Sequence, residues 1–411
     1  MTVSLDMYMT AGTGILALFL GVFFTRAIPL LKRFCIPAPV SGGLAVSLLT
    51  LALHGLFGMD FHFDGTIKDI AMMLFFTSVG FQSDLRVLKE GGRPLLVMIL
   101  LVAVLIALQN GLAVGIAKTM GLDPLLGMAA GSIPMSGGHG TAGGFSPVLE
   151  QMGLHGAASI TMAAATFGLV AGSLIGGPLG EFLIRRRHLA TATEHGDAIT
   201  GIEGSEAAEE KRREHADSDE KSYRRSLQAA CQMLLTMALG MGLSRLLSLT
   251  GITFPTYFGA LIMAAIIRNL SAPAEKKGKN WLALDRIVSI GNICLSVFLG
   301  TAMATLKLWE LSGLVLPLVV ILLSQALLIY LFAGFVAFPA LGKDYDAAVL
   351  VSGLCGFGLG ATPNAMANMS AVCFKYHYAV RPFVIVPILG AMFVDIINTG
   401  VITLFLNLIA P

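Results

Sequence analysis

A chain of 411 residues that is 55% hydrophobic and only 13% charged cannot clothe a soluble surface of that size. Its mean hydropathy of +0.80 places it among polytopic membrane proteins. A formal net charge of +2 with no basic domain excludes nucleic acid as a partner, and the five cysteines show neither disulfide pairing nor metal-ligand spacing.

The N-terminus lacks a basic leader and a small-residue cleavage site, so 10–31 reads as a first membrane span, not a signal peptide. Further apolar segments of roughly spanning length follow at 38–57, 69–84, 94–118 and 156–184. After a charged stretch they resume at 227–249, 254–271, 287–305, 311–340 and 382–409. Two moderately apolar segments are left over, 124–150 and 346–373, each broken by glycine near its middle. Charge decides how they lie. With the N-terminus outside and both leftover segments returning to the side they came from, all but four of the 27 Lys and Arg residues fall on one side. The four are Lys68, Lys118, Arg245 and Lys307. The rich side is then cytoplasmic, both termini are periplasmic, and 124–150 and 346–373 are re-entrant hairpins.

The expected fold is all-α, with about ten transmembrane helices in two five-helix repeats. The N-terminal repeat covers 1–184 and the C-terminal repeat 227–411. They are joined by a charged cytoplasmic linker, 185–226, that is nearly free of large apolar residues. Five spans per half start the second half on the opposite face, so the repeat is an inverted one. Markers recur at a shift of about 220 residues: Ile36-Pro-Ala-Pro39 with Ile252-Thr-Phe-Pro255, Gly121-Leu-Asp123 with Gly342-Lys-Asp344, and Gly138-His-Gly140 with Gly358-Leu-Gly360.

The glycine breaks carry the functional signal. Ser136-Gly-Gly-His-Gly-Thr-Ala-Gly-Gly144 and Cys355-Gly-Phe-Gly-Leu-Gly-Ala-Thr-Pro363 would be irregular backbone at membrane depth, tolerated only inside protein or beside a cavity. A half-helix ending there presents carbonyl oxygens, and the next presents N–H groups, so each tip offers a cation site beside an anion site. Thr362-Pro363 reads as an N-cap followed by a helix start, with Ser146-Pro147 as its counterpart. That combination suits a carboxylate solute driven by a cation. The substrate region is expected at Ser136, Gly137, Gly138, His139, Gly140 and Thr141 of one tip. In the other tip it is expected at Gly356, Gly358, Gly360, Thr362 and Asn364.

Asp395 is the acidic residue near the middle of an otherwise apolar helix, with Asn398 on the same face. A carboxylate there needs a cation or a hydrogen-bonding partner, and oxygen ligands suit Na⁺. Asp395, Asn398 and the backbone at Gly138 and Gly358 are the expected cation ligands. Gln109, Asn110 and Gln325 sit mid-span before the hairpins, and Ser78, Gln82, Asn292 and Ser296 are candidate cavity-lining residues. His139 can bind substrate or take up a proton, and Arg381 reads as an interfacial anchor. No His-Glu-x-x-His, no Gly-x-Ser-x-Gly and no second mid-membrane Asp supports an enzyme, and no cofactor is implied.

At these residues the chain resembles the bacterial sodium/glutamate symporter family. The resemblance runs through Ile36-Pro-Ala-Pro-Val-Ser-Gly-Gly43, Gly121-Leu-Asp-Pro-Leu-Leu-Gly127, Ser136-Gly-Gly-His-Gly-Thr141, Ala165-Thr-Phe-Gly-Leu-Val170, Ile175-Gly-Gly-Pro178, Leu306-Lys-Leu-Trp-Glu310, Gly342-Lys-Asp-Tyr-Asp-Ala-Ala348 and Cys355 to Pro363. It implies Na⁺-driven L-glutamate uptake across the bacterial inner membrane, a homodimer in the lipid bilayer, and an elevator-like alternation of the hairpin-bearing unit. Ala142-Gly-Gly after the first motif departs from the family pattern and bears on selectivity. The alternatives are a sodium- or proton-coupled symporter of another dicarboxylate or 2-oxo acid, or an ion channel with Cys355–Gly360 as a carbonyl-lined filter. Two unlike loops of opposite orientation fit such a filter poorly.

Overall fold

The computed structural model describes residues 2–86, 92–189, 211–249, 254–275, 281–311 and 313–409. Linker residues 190–210, Lys89, and Ile252 and Thr253 of the seventh-span marker lie outside them. The first half contains α1 (Met7–Ala27), α2 (Pro29–Arg33), α3 (Ala38–Phe57), α4 (Thr66–Gln82), α5 (Gly92–Thr119), α6 (Pro124–Ala129), α7 (Ser132–Met135), α8 (Gly138–Gln151) and α9 (Ala157–Arg187). The second half contains α10 (Lys211–Ser248), α11 (Phe258–Glu275), α12 (Leu284–Ala304), α13 (Val315–Leu331), α14 (Tyr345–Gly358), α15 (Thr362–Lys375), α16 (Val380–Ile388) and α17 (Val394–Ile409).

Among the described residues seven helices are long and apolar enough to cross a membrane. These are α1, α3, α5, α9, Ser222–Ser248 within α10, α12, and α13 continued through a π turn to Ala340. The other three expected spans are shorter or interrupted. Helix α4 has 17 residues, the apolar part of α11 is Phe258–Ser271, and α16 joins α17 through a π turn at Leu389–Phe393. Pro29 cannot continue α1, so the chain turns at an extended Ile28 and the first span ends at Ala27, not at 31. Leu16, Phe19, Phe23, Leu100 and Leu323 stand exposed on the outer helix faces, where a bilayer, and not water, is a fitting solvent.

The helices sort into two bundles, and each half of the chain supplies both. One bundle packs α1, α3 and α4 against α10, α11 and α12. The other packs α5–α9 with α13–α17. Helix α14 lies at the centre of the second bundle, where every residue except Asp346 is buried. The two glycine-broken segments end within two residues of their expected bounds, as Pro124–Gln151 and Tyr345–Lys375. From Lys211 onward the backbone of the charged linker is helical and runs without a break into the next apolar segment.

One feature departs from an all-α reading. Thr2–Leu5 and Asp60–Phe63 pair as two parallel strands, Thr2 opposite Asp60 and Leu5 opposite Phe63. Each segment is four residues long, and they meet because α1 and α3 pack together, bringing the start of one beside the end of the other. At the opposite end of the first bundle, Arg268 of α11 donates to Asp84 Oδ2 at 2.7 Å, and Arg86 Nε donates to Oδ1 of the same carboxylate at 2.9 Å. Asn269 closes the joint by donating to the Ser83 carbonyl at 2.7 Å and accepting from the Leu85 N–H at 3.0 Å.

Candidate functional site

The tips of the two broken segments touch in the middle of the second bundle. Gly138 has φ +59°, a left-handed conformation that favours glycine, and a Cβ there would lie 2.8 Å from the Gly360 carbonyl oxygen. A single side chain holds both tips. Gln109 of α5 accepts from Ser136 Oγ at 2.6 Å and donates through Nε2 to the Gly358 carbonyl at 2.6 Å. Gln325 of α13 donates to the Gln109 carbonyl at 2.8 Å. The mid-span amides singled out in the sequence therefore cross-brace the hairpins.

The first tip differs from its sequence reading. The helix breaks at Ala130–Gly131 and again at Ser136–Gly137, and α8 begins at Gly138. Most of the glycine run is thus helical. Ser146 and Pro147 lie inside α8 and do not start it, and Ser146 Oγ donates back to the Gly143 carbonyl at 3.2 Å. Gly143 and Gly144 are glycine for packing, since Phe298 and the Tyr257 ring press on α8 there. At the second tip the N-cap is Ala361, with no side-chain cap, and Thr362 is already the first helical residue. The Thr362 hydroxyl lies against Gly390 instead, where a side chain at 390 would collide with it.

A cavity of about 450 Å³ opens between the bundles at these tips. It is lined by Ser136 to Thr141, by Gly360 to Asn364, by Asp395, and from the first bundle by Phe75, Phe76, Gln82, Asn292 and Leu295. Cys35 and Pro37, which follow the basic turn at Lys32 and Arg33, also line it. Ser78 and Ser296 are outside its lining: Ser78 is pressed against Gly291, and Ser296 is half-buried and donates to the Asn292 carbonyl at 3.0 Å. Arg381 lies at the exposed start of α16, outside the cavity lining.

Not every expected site residue offers a free group. His139 Nε2 lies 3.0 Å from Thr166 Oγ1, whose own proton goes to the Met162 carbonyl at 2.9 Å. Nε2 must therefore be the donor, which leaves the lone pair on Nδ1. Asn364 is committed to α9, donating to the Leu169 carbonyl at 2.9 Å and accepting from Ser173 Oγ. Asn398 is committed to the bend of the first segment, accepting from Ser132 Oγ at 2.7 Å and donating to the Ser132 carbonyl at 3.1 Å. Gly356 and Gly358 are in close contact with Ala365 and with Ile329 and Leu105, so neither opens the cavity. Thr141 is different: its hydroxyl is buried in the tip with no partner among the described residues. Asp395 likewise carries no hydrogen bond or ion pair to another described residue. No three His, Cys, Asp or Glu side chains converge among the described residues, so any cation beside Asp395 would rely on neutral oxygens.

Sequence reasoning passed over Tyr257, which lies just before α11, is fully buried between the bundles and stacks on Phe76 at 3.7 Å between ring centroids. Glycines in membrane helices let helices approach closely, and the sequence marks Gly172, Gly176 and Gly177 of the fifth span for that role. Gly172 and Gly176 fill it, extended by Gly168 and Gly180 into a smooth ridge on α9 against which α14 and α15 pack, whereas Gly177 faces open space.

A cavity at the meeting point of two discontinuous helices, inside an apolar multi-pass body, defines a membrane transport protein. The sodium/glutamate symporter family model matches residues 3–378. The chain is 38% identical to the sodium/glutamate symporter of Escherichia coli (strain K12), over 98% of each chain. It is 37% identical to that of Haemophilus influenzae, over 98% of this chain and 97% of the relative. The chain therefore belongs to the sodium/glutamate symporter family, whose named members are transporters and not enzymes. Among solved structures, a sodium proton antiporter from Methanocaldococcus jannaschii covers 98% of each chain at 16% identity and a TM-score of 0.43, too loose a likeness to carry an argument.

Proposed function

We propose that the protein is a secondary active transporter that couples inward movement of Na⁺ to uptake of L-glutamate across a bacterial inner membrane. One observation carries this reading: both hairpin tips, an uncommitted carboxylate and a buried unpartnered hydroxyl face one cavity between two bundles. The N–H groups that open α8 and α15 suit the solute's carboxylates. The Asp395 carboxylate and the tip carbonyls suit a cation or the solute's ammonium group.

In this reading the protein has ten membrane helices in two inverted repeats, 1–184 and 227–411, with the re-entrant hairpins 124–150 and 346–373 and a cytoplasmic linker at 185–226. Each repeat gives three long helices to the first bundle and a hairpin with its flanking helices to the second. That division supports an elevator in which the second bundle slides along the first. Cys35 and Pro37, next to the basic turn at Lys32 and Arg33, line the cavity, which supports an inward-facing conformation. The first bundle is the surface on which a homodimer would form.

The test is uptake of labelled glutamate into proteoliposomes with and without an inward Na⁺ gradient, competed by aspartate, 2-oxoglutarate and glutamine. Saturable, Na⁺-dependent uptake competed best by glutamate is the expected result. Preferential competition by 2-oxoglutarate would move the assignment to a 2-oxo acid carrier. Ohmic current without saturation would make it a channel.

A further inference from the structure

Buried helical threonines in this protein normally discharge their hydroxyls onto the backbone one turn back. Thr77 donates to the Met73 carbonyl at 2.7 Å, Thr161 to that of Ala157 at 2.8 Å, Thr166 to that of Met162 at 2.9 Å and Thr301 to that of Val297 at 2.9 Å. Thr399 on α17 does not. Its hydroxyl is 1% exposed and has no hydrogen-bond partner among the described residues. Thr403, one turn further along the helix, is orphaned in the same way. An unsatisfied buried hydroxyl costs about 1–3 kcal/mol, and such groups in a folded protein mark a place where something else binds.

A third orphan meets them from the other bundle. The Tyr257 hydroxyl is fully buried and faces the Thr399 hydroxyl without a well-formed hydrogen bond to it, and the Asp395 carboxylate is near enough to act on it. Asp395 and Thr399 are four residues apart, so they share one face of α17. The Tyr257 ring is held independently of its hydroxyl, by stacking on Phe76 and by contact with Gly144 of α8. Two of the oxygens expected beside Asp395 are engaged elsewhere: the Asn398 amide holds Ser132, and the Gly358 carbonyl accepts from Gln109.

We propose that Asp395, Thr399 and Tyr257 form a binding site for the coupling Na⁺, with Tyr257 contributed by the opposite bundle. The assignment rests on the Na⁺-coupled reading above and names its ion site. One carboxylate and two neutral hydroxyl oxygens are a hard, oxygen-only donor set with a single negative charge, as a monovalent alkali cation requires. The ion satisfies the oxygens that the fold leaves unpaired and neutralises a carboxylate that the bundle cannot. Asp395 and Thr399 both lie on α17 of the moving bundle and hold the ion through the movement, and Tyr257 completes the set in the docking position seen here.

The experiment compares wild type with Tyr257→Phe, Thr399→Val and Thr399→Ser in proteoliposomes. It measures the Na⁺ concentration giving half-maximal glutamate uptake, together with Na⁺-induced thermal stabilisation of the purified protein without substrate. Tyr257→Phe keeps the stacked ring, and Thr399→Val keeps the shape of the side chain. Each is expected to raise the half-maximal Na⁺ concentration about tenfold, equivalent to about 1.4 kcal/mol, with a matching shift in the stabilisation curve. Thr399→Ser, which retains the hydroxyl, is expected to stay near wild type. Unchanged half-saturation in both Tyr257→Phe and Thr399→Val, with Na⁺-dependent wild type, overturns the site and leaves the symport reading standing. A lower maximal rate at unchanged half-saturation makes the hydroxyls structural and also overturns the site. Wild-type uptake indifferent to Na⁺ overturns the symport reading and this site with it.

Discussion

At the scale of single residues, the site depends on which polar groups are already committed. Gln109 spends both ends of its amide on the two tips, so Gln109→Leu should uncouple them. It leaves Ser136 Oγ and the Gly358 carbonyl without that partner, at about 1–3 kcal/mol each. The expected outcome is folded protein with glutamate uptake reduced at least tenfold, read from initial rates at matched protein content. Asp395 has the opposite character, a carboxylate with no protein partner. Asp395→Ala should abolish Na⁺-dependent uptake while the protein still elutes as a single species in detergent, and wild-type Na⁺ dependence in that variant would remove Asp395 from the mechanism. Gly138 is constrained twice, by φ +59° and by the Gly360 carbonyl 2.8 Å from where a Cβ would stand. Gly138→Ala is expected to lose most uptake, since the left-handed conformation alone costs about 1–2 kcal/mol for a residue with a side chain.

Among the elements, α9 and α17 show how the halves are interlocked. Helix α9 of the first half packs on the second hairpin, with Asn364 and Asn368 donating to the Leu169 and Gly172 carbonyls, each at 2.9 Å. Helix α17 of the second half holds the first hairpin through Asn398 and Ser132. Each hairpin is therefore clamped by the other half's last helix, and neither half can complete its tip alone. Gly168→Ala probes this directly, because a Cβ there would overlap the Leu359 carbonyl oxygen at the second tip. Overpacking of that kind costs about 1–3 kcal/mol. The expected readout is a lower melting temperature together with slower uptake, whereas Gly177→Ala, facing open space, should change neither.

For the whole molecule, the question is which contacts must break if one bundle moves along the other. Outside the cavity lining, Ser159 of α9 donates to the Lys307 carbonyl at 3.2 Å, and Gly156 packs against Glu310. A Ser159→Cys, Lys307→Cys pair in a background lacking the five native cysteines, joined by a short reducible thiol cross-linker, should stop uptake and release it on reduction. Undiminished uptake by the cross-linked protein would rule out sliding at this seam. The first bundle, by contrast, is held rigid at its basic end by Asp84. Hydrogen bonding from Arg86, with Arg268 beside it, keeps that carboxyl below the usual carboxylate range despite burial. A depressed folded-state value contributes stability above the ordinary carboxylate pKa, and that stability is lost as pH falls through the folded-state value. Asp84→Asn should therefore lower thermal stability at pH 7, by roughly 3 kcal/mol for a buried pair, with the difference shrinking in acid.

The sequence alone determined the membrane class and the outer ends of both glycine-broken segments to within two residues. The reason is that these are local properties: a bilayer tests one segment at a time for apolar length, and glycine density, proline and charge can be read in a short window. The mid-helix Asp395 was legible for the same reason. The sequence did not place the true start of α8, the parallel pairing of Thr2–Leu5 with Asp60–Phe63, or the burial of Tyr257 between the bundles. Only the tertiary structure decided which oxygens are free. Asn398 and Ser132 are 266 residues apart, and Gln109 and Gly358 are 249 apart. Whether an amide is a ligand or a brace depends on what the fold brings beside it. By that criterion Asn364 and Asn398 became braces, and Thr141, Thr399 and the unexpected Tyr257 were left with oxygens to offer.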